Sequence, residues 1–366
     1  MELHSLGGYR LLGAYPVLNS VTRLYYARPE SAPDDAPATA LAKILVPSQS
    51  QEYTLLKAQF AHEANLLRSF SHPGIPSLRA AGTQDGVDFY VMDLVQGVDL
   101  AVLLGHDRRE PRGLSKELAV YILGQLADAL RYVHTFEVPK EGVGSVAAAF
   151  GQVAEAEPSE SADAPASDGD EGGDDDGDDD DDEEGDDGDD FECLDVLHRD
   201  LCPANVFLSV DGDVLLGDFG SASSKWLAPE FTGSEAGHVA YKAPERVTGS
   251  GKATVKSDLF SLAVILWEIL RGERCFVAGN ELETMDEIVR FDISHSSRRV
   301  SGLSSKLSEV LRRNLDRDPE RRYPDAYKVL QRLSQSPEAQ SAENSRQELA
   351  LLVQQARAGQ KTVRPK

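Results

Sequence analysis

His198-Arg199-Asp200-Leu201-Cys202-Pro203-Ala204-Asn205, followed thirteen residues after Asn205 by Asp218-Phe219-Gly220, is the stretch on which the reading of this chain turns. Asp200 offers a carboxylate that can take a proton from a hydroxyl. Asn205 and Asp218 offer side-chain oxygens of the kind that hold divalent cations against phosphates. Each short motif recurs by chance, but both in this order and at this spacing point to phosphoryl transfer.

The run resembles the catalytic loop and metal-binding loop of eukaryotic-type protein kinases, of the kind also found in bacteria. Upstream, Ala40-Leu41-Ala42-Lys43 resembles the strand whose lysine grips the α and β phosphates. Leu55, Leu56, Gln59, Phe60, Glu63, Leu66 and Leu67 recur at helical spacing, which predicts an amphipathic helix. The resemblance makes Glu63 on that helix the ion-pair partner of Lys43.

Phe89–Leu100 resembles the hinge between two lobes, with the backbone of Asp93 and Val95 offered to an adenine ring and Asp99 placed for the ribose. The same likeness puts Phe207 at the nucleotide. Ala243-Pro244-Glu245 resembles the motif that closes the activation segment, Asp258 the brace beneath the catalytic loop, and Arg322 the buried partner of Glu245. Together these imply an α+β, bilobal fold: a small N-terminal lobe of antiparallel sheet with one helix, on a larger, mainly helical lobe. The implied activity is ATP- and Mg²⁺-dependent transfer to Ser/Thr hydroxyls of proteins. Lys43, Glu63 and Asp200 are then catalytic, and Asn205 and Asp218 hold metal.

The pattern is interrupted once. Ala119–His134 reads as a long amphipathic helix, yet about fifty residues (140–192) separate it from the His-Arg-Asp strand. Glu155–Glu192 holds 22 Asp and Glu and no Lys or Arg. The whole chain carries 62 acidic and 37 basic residues, net −25; without those 22 the balance falls to about −3. The acidity therefore belongs to one loop. With almost nothing apolar to bury, that loop is expected to be disordered. It serves as a self-repelling spacer, attracts a basic partner or substrate, binds calcium weakly through clustered carboxylates, or acts as a pseudo-substrate lure. Its carboxylates lack the regular spacing of a calcium loop.

Three departures bear on rate. Only Gly13 survives of the family's three phosphate-covering glycines, Pro16 removes an amide donor, and Val17 and Leu18 are bulky. Cys202 stands where Ser/Thr kinases carry a lysine that stabilises the transferring phosphoryl group, and Ala204 supplies no other charge. His238 stands where the family has a threonine that positions the catalytic aspartate; it either hydrogen-bonds there or marks a relaxed position. These losses predict a slow kinase. The alternative is a nucleotide-binding pseudokinase or scaffold whose acidic insert recruits a basic partner. Ser221, Ser223, Ser224, Thr232 and Ser234 are hydroxyls open to phosphorylation in the activation segment.

Domain boundaries are expected at 1–8 (an extension), 9–333 (the kinase unit, interrupted by 140–192) and 334–366. In the last part, 334–345 reads as a polar linker and Arg346–Ala358 as an amphipathic helix that packs on the large lobe or docks a partner. No run of 18 apolar residues and no basic patch occur, so neither membrane nor nucleic acid is an expected partner. Three scattered cysteines and the absence of a signal-like start fit a reducing cytoplasm.

Overall fold

The computed structural model describes residues 4–16, 21–48, 52–105, 113–140, 154–155, 190–232, 237–295 and 299–361. Val17, Leu18, Ser234 and nearly all of the acidic stretch lie outside them.

The small lobe is an antiparallel sheet built on alternation. Its strands are β1 (Ser5–Leu6), β2 (Tyr9–Ala14), β3 (Thr22–Pro29), β4 (Ala40–Leu45), β5 (Leu78–Gln84) and β6 (Val87–Asp93). They run in the order β1-β2-β3-β4-β6-β5, and a two-residue strand β9 (Ala154–Glu155) adds to the β5 edge. Strand residues alternate faces. Ala40, Ala42 and Ile44 of β4 pack with Leu6, Ala27, Phe89 and Val91 on one face. Leu45 and Tyr90 pack on the other, against Phe60, Ala64 and Leu67 of helix α1 (Tyr53–Ser69). Two boundaries differ from the sequence reading. Ser5–Leu6 belongs to the sheet, paired with Tyr9–Arg10, and so is no mere extension. Ala154–Glu155, inside the stretch expected to be disordered, is paired with Ala80–Ala81.

A short connector, residues 94–96, leads through β7 (Gly97–Asp99) and α2 (Leu100–Leu104) into α3 (Lys116–His134). Ser115 caps α3 by accepting from Leu118 N–H at 3.2 Å. Then come β8 (Glu137–Pro139), β10 (Phe191–Cys193), β11 (Val206–Ser209) and β12 (Val214–Leu216). β8 pairs with β10, so the two ends of the acidic stretch meet: Pro139 lies opposite Phe191, and Lys140 N–H donates to Asp190 O at 2.9 Å. β7, β11 and β12 form a second small sheet.

The rest of the large lobe is helical: α4 (Pro244–Val247), α5 (Val255–Arg271), α6 (Glu281–Arg290), α7 (Ser305–Asn314), α8 (Ala326–Ser334) and α9 (Ala342–Lys361). Every residue of α5 from Ser257 to Ile269 is buried, as expected of a helix apolar on all sides that runs through the core. Asp258 sits in its first turn, inside the helix and not ahead of it. The expected linker after 333 is folded: a 3-10 turn spans Pro337–Ser341, Ser336 and Ser345 are buried, and α9 starts at Ala342. Leu349 and Val353 of α9 are fully buried, and Arg346 pairs with Asp213 at 2.7 Å. Gln354 and Arg357 reach Val210 O and Gln96 Oε1, beside the connector. Among the described residues no helix is long and apolar enough to cross a membrane.

Candidate active site

Lys43 lies on the α1 face of β4, opposite Tyr90 of β6. Its Nζ is 2.8 and 3.1 Å from the two carboxylate oxygens of Glu63 on α1, and 3.3 Å from Asp218 Oδ1. Glu63 is buried. Burial alone would lower the Lys43 pKa; Glu63 first, then Tyr90 and Asp218, outweigh it and hold it well above the ordinary lysine value. Lys43 in turn holds the Asp218 carboxyl below the usual range, against the effect of burial.

The two motif loops are tied together. Gly217 N–H donates to Asn205 O at 3.0 Å, and His198 Nε2 bonds to Gly217 O at 3.1 Å. A Cβ on Gly217 would come within 2.7 Å of the Phe207 ring, so glycine is what lets the loops close. Arg199 and Asp218 both hold positive φ, 67° and 58°, a costly backbone state that persists where surrounding structure enforces it. Part of the enforcement comes from Asp258. Its carboxylate accepts from His198 N–H and Arg199 N–H, each at 2.9 Å, and bonds to His134 Nε2 at 2.9 Å. Phe219 is fully buried between Phe70 and His198.

Asn205 Nδ2 donates to Asp200 O at 2.8 Å and to Asp200 Oδ2 at 3.2 Å, which keeps Asn205 Oδ1 out of those bonds. The other Asp200 oxygen, Oδ1, accepts from His238 N–H and bonds to His238 Nδ1, both at 2.8 Å. Its Asp200 bond, then its Cys202 contact, push the His238 pKa up to about 11. Asn205 Oδ1 and the Asp218 carboxylate are oxygen groups of the kind that hard divalent cations take.

Other expected positions differ in detail. Asp99 Oδ1 caps α2 by accepting from Val102 N–H at 2.7 Å, so that oxygen is engaged before any ribose arrives. Asp93 N–H donates to Ser77 O at 3.0 Å, and its carboxylate holds Arg79 at 2.6 and 3.0 Å. Val95 lies in the connector as expected, and Phe207 pairs across β11 with Asp99 of β7. Glu245 and Arg322 form a bidentate pair at 2.7 and 2.8 Å. Sequence reasoning missed the bond of His62 on α1 to Ser224 Oγ, 2.8 Å long, which fastens the small lobe's helix to the segment after Asp218. A polar residue among the buried positions of α1 was the available sign.

Residues 192–333 match a family model described as the protein kinase domain, a span that begins where the acidic stretch ends. The chain is 33% identical over 132 residues to serine/threonine-protein kinase PknL of Mycobacterium tuberculosis, covering 36% of this chain and 33% of that protein. It is 27% identical over 326 residues to serine/threonine-protein kinase PknJ of Mycobacterium bovis, covering 87% and 43%. To tyrosine-protein kinase MasK of Myxococcus xanthus it is 24% identical over 268 residues, covering 73% and 34%. The chain thus spans between a third and under half the length of these relatives. Residues 192–333 thus match the protein kinase domain, and the chain as a whole is similar to bacterial serine/threonine-protein kinases.

Proposed function

We propose that the chain transfers the γ-phosphate of ATP to Ser/Thr hydroxyls of protein substrates, at a modest rate. Asp200 orients the acceptor hydroxyl and takes its proton as the oxygen–phosphorus bond forms and the bond to the ADP oxygen breaks. Lys43, aligned by Glu63, holds the α and β phosphates. Asn205 and Asp218 hold Mg²⁺, which neutralises charge on the phosphates when bound. The main-chain carbonyl of Asp93 and the backbone of Val95 meet the adenine; Phe207 and Asp99 border the nucleotide.

One observation carries this reading: Lys43 bridges Glu63 and Asp218 while Asn205 and His238 hold both oxygens of Asp200. A chain that had given up catalysis would be under no pressure to keep four separated segments in this geometry. The missing glycines weaken phosphate grip without touching it, hence the modest rate. The acidic stretch is proposed to draw a basic protein partner, on charge alone, and a cytoplasmic setting fits its three free cysteines.

The test is label transfer from γ-labelled ATP to the chain itself or to a generic basic protein, with and without Mg²⁺. Transfer abolished by Asp200→Ala supports the proposal. Nucleotide-dependent thermal stabilisation with no transfer above that variant would make the chain a pseudokinase.

A further inference from the structure

Two of the departures from the kinase pattern, Cys202 and His238, touch: Cys202 Sγ lies 3.5 Å from His238 Nδ1. We propose that the His238 imidazolium supplies, from the activation segment, the positive charge that position 202 no longer carries, and so acts as the positioning residue for Asp200. The inference rests on the kinase reading above and deepens it.

The geometry is built for that role. His238 places two donors on one oxygen, its backbone N–H and Nδ1–H on Asp200 Oδ1, each at 2.8 Å. Asn205 takes Oδ2, so the carboxylate that must face the acceptor hydroxyl is fixed at both oxygens. The approach needs Gly237. Its φ is +95°, and a Cβ there would lie 2.6 Å from Arg199 O. Any side chain at this position would collide with the backbone of the catalytic loop. Cys202 is small and 1% exposed, which leaves the imidazole the volume a longer side chain would fill. Asp200 and the thiol hold the ring protonated at neutral pH, so it brings a full charge and not only a hydrogen bond. The Nε2–H edge takes no part in these bonds, and the side chain is 58% exposed.

Asp200, Cys202 and His238 also bring an oxygen, a sulfur and a nitrogen within 4.8 Å of one another, as a metal site would. The 2.8 Å between Nδ1 and Oδ1 argues for a direct bond, because two such ligands around one tetrahedral ion sit about 3.3 Å apart.

The experiment compares wild type with His238→Ala, Cys202→Lys, His238→Thr and Cys202→Lys/His238→Thr in the full chain. Turnover of ATP·Mg²⁺ with a generic basic acceptor protein, nucleotide affinity and melting temperature are read for each. His238→Ala should lower kcat on the order of 10²-fold while nucleotide affinity stays within about twofold. The double variant should recover most of that loss, because a lysine at 202 supplies the cation from the other segment. Cys202→Lys with His238 retained should gain nothing, since two cations then compete for one space. A structural histidine would not be replaced by charge from a different segment.

A loss under threefold in His238→Ala overturns the inference. So does a folded double variant no faster than His238→Thr. If wild type is inert and Cys202→Lys/His238→Thr is active, His238 does not serve as the cation, yet the kinase site stands. If neither turns over, the kinase reading itself fails.

Discussion

The ring of Phe219 lies edge-on to that of Phe70, 5.3 Å between centroids, so the residue after Asp218 is packed against the C-terminal cap of α1. Glu63 rides on the same helix. The loop that carries Asp218 and the helix that carries the lysine's partner are therefore linked by one hydrophobic contact. Phe70→Ala is expected to cost about 3–5 kcal/mol in denaturant unfolding, as large aromatic deletions in cores do. It should also lower turnover more than nucleotide affinity, because α1 loses its anchor while the connector is untouched.

Lys43 and Glu63 form a buried pair whose members do not stand alone well. Removing the Glu63 charge leaves Lys43 only the longer, 3.3 Å contact with Asp218, at a cost toward the lower end of the about 3–5 kcal/mol for a broken buried pair. Glu63→Gln should thus destabilise the fold and cut turnover. Lys43→Met/Glu63→Gln should regain part of the stability and none of the activity. Melting temperature and label transfer, read on wild type and these two variants, separate the two effects.

Asp258 satisfies two buried backbone amides and one imidazole. Asp258→Ala leaves His198 N–H and Arg199 N–H without their acceptor, each worth about 1–3 kcal/mol. The expected outcome is a loss of at least about 3 kcal/mol, measured by chemical denaturation. The positive φ of Arg199 should relax with it, so activity falls further than stability alone explains.

His62 is buried on α1 and its pKa is pushed down to about 4 by desolvation. The folded state then holds fewer protons than the unfolded state between pH 6.5 and 4, so stability falls as pH is lowered through that window. From pH 7 to 5 the loss should be about 2 kcal/mol from this group. His62→Gln, which keeps a donor for Ser224 and does not titrate, should flatten that part of the stability profile. An unchanged slope would clear His62 of the effect.

The sequence made some parts of this molecule legible because the physics there is local. Alternation in Ala40–Leu45 and helical spacing in Leu55–Leu67 each follow from one element's contact with one core. The motif residues were legible because chemistry restricts which side chains can stand there. Asp99 sits where the resemblance puts a ribose ligand; directly before Leu100–Leu104 it is also an N-cap, and one of its carboxylate oxygens serves that role. The polar stretch after Leu333 looked like a linker because its few apolar residues, spaced across a 3-10 turn and a helix, only bury once the lobe exists. At His238 two readings were open, a hydrogen bond at the catalytic aspartate or a relaxed position, and the structure shows the bond; which of them held was not legible. The meaning of that histidine depends on a contact 36 residues away and on a left-handed glycine beside it, neither of which leaves a periodic trace.

The strand pair β8–β10 fastens Pro139 beside Phe191 whatever lies between. Apart from the two-residue β9 pairing, catalytic alignment and loop length are thereby uncoupled: lengthening the excursion adds a closure entropy that rises with the logarithm of its size. This is a socket where evolution, or an engineer, can graft an appendage of any charge without retuning the chemistry a few residues downstream.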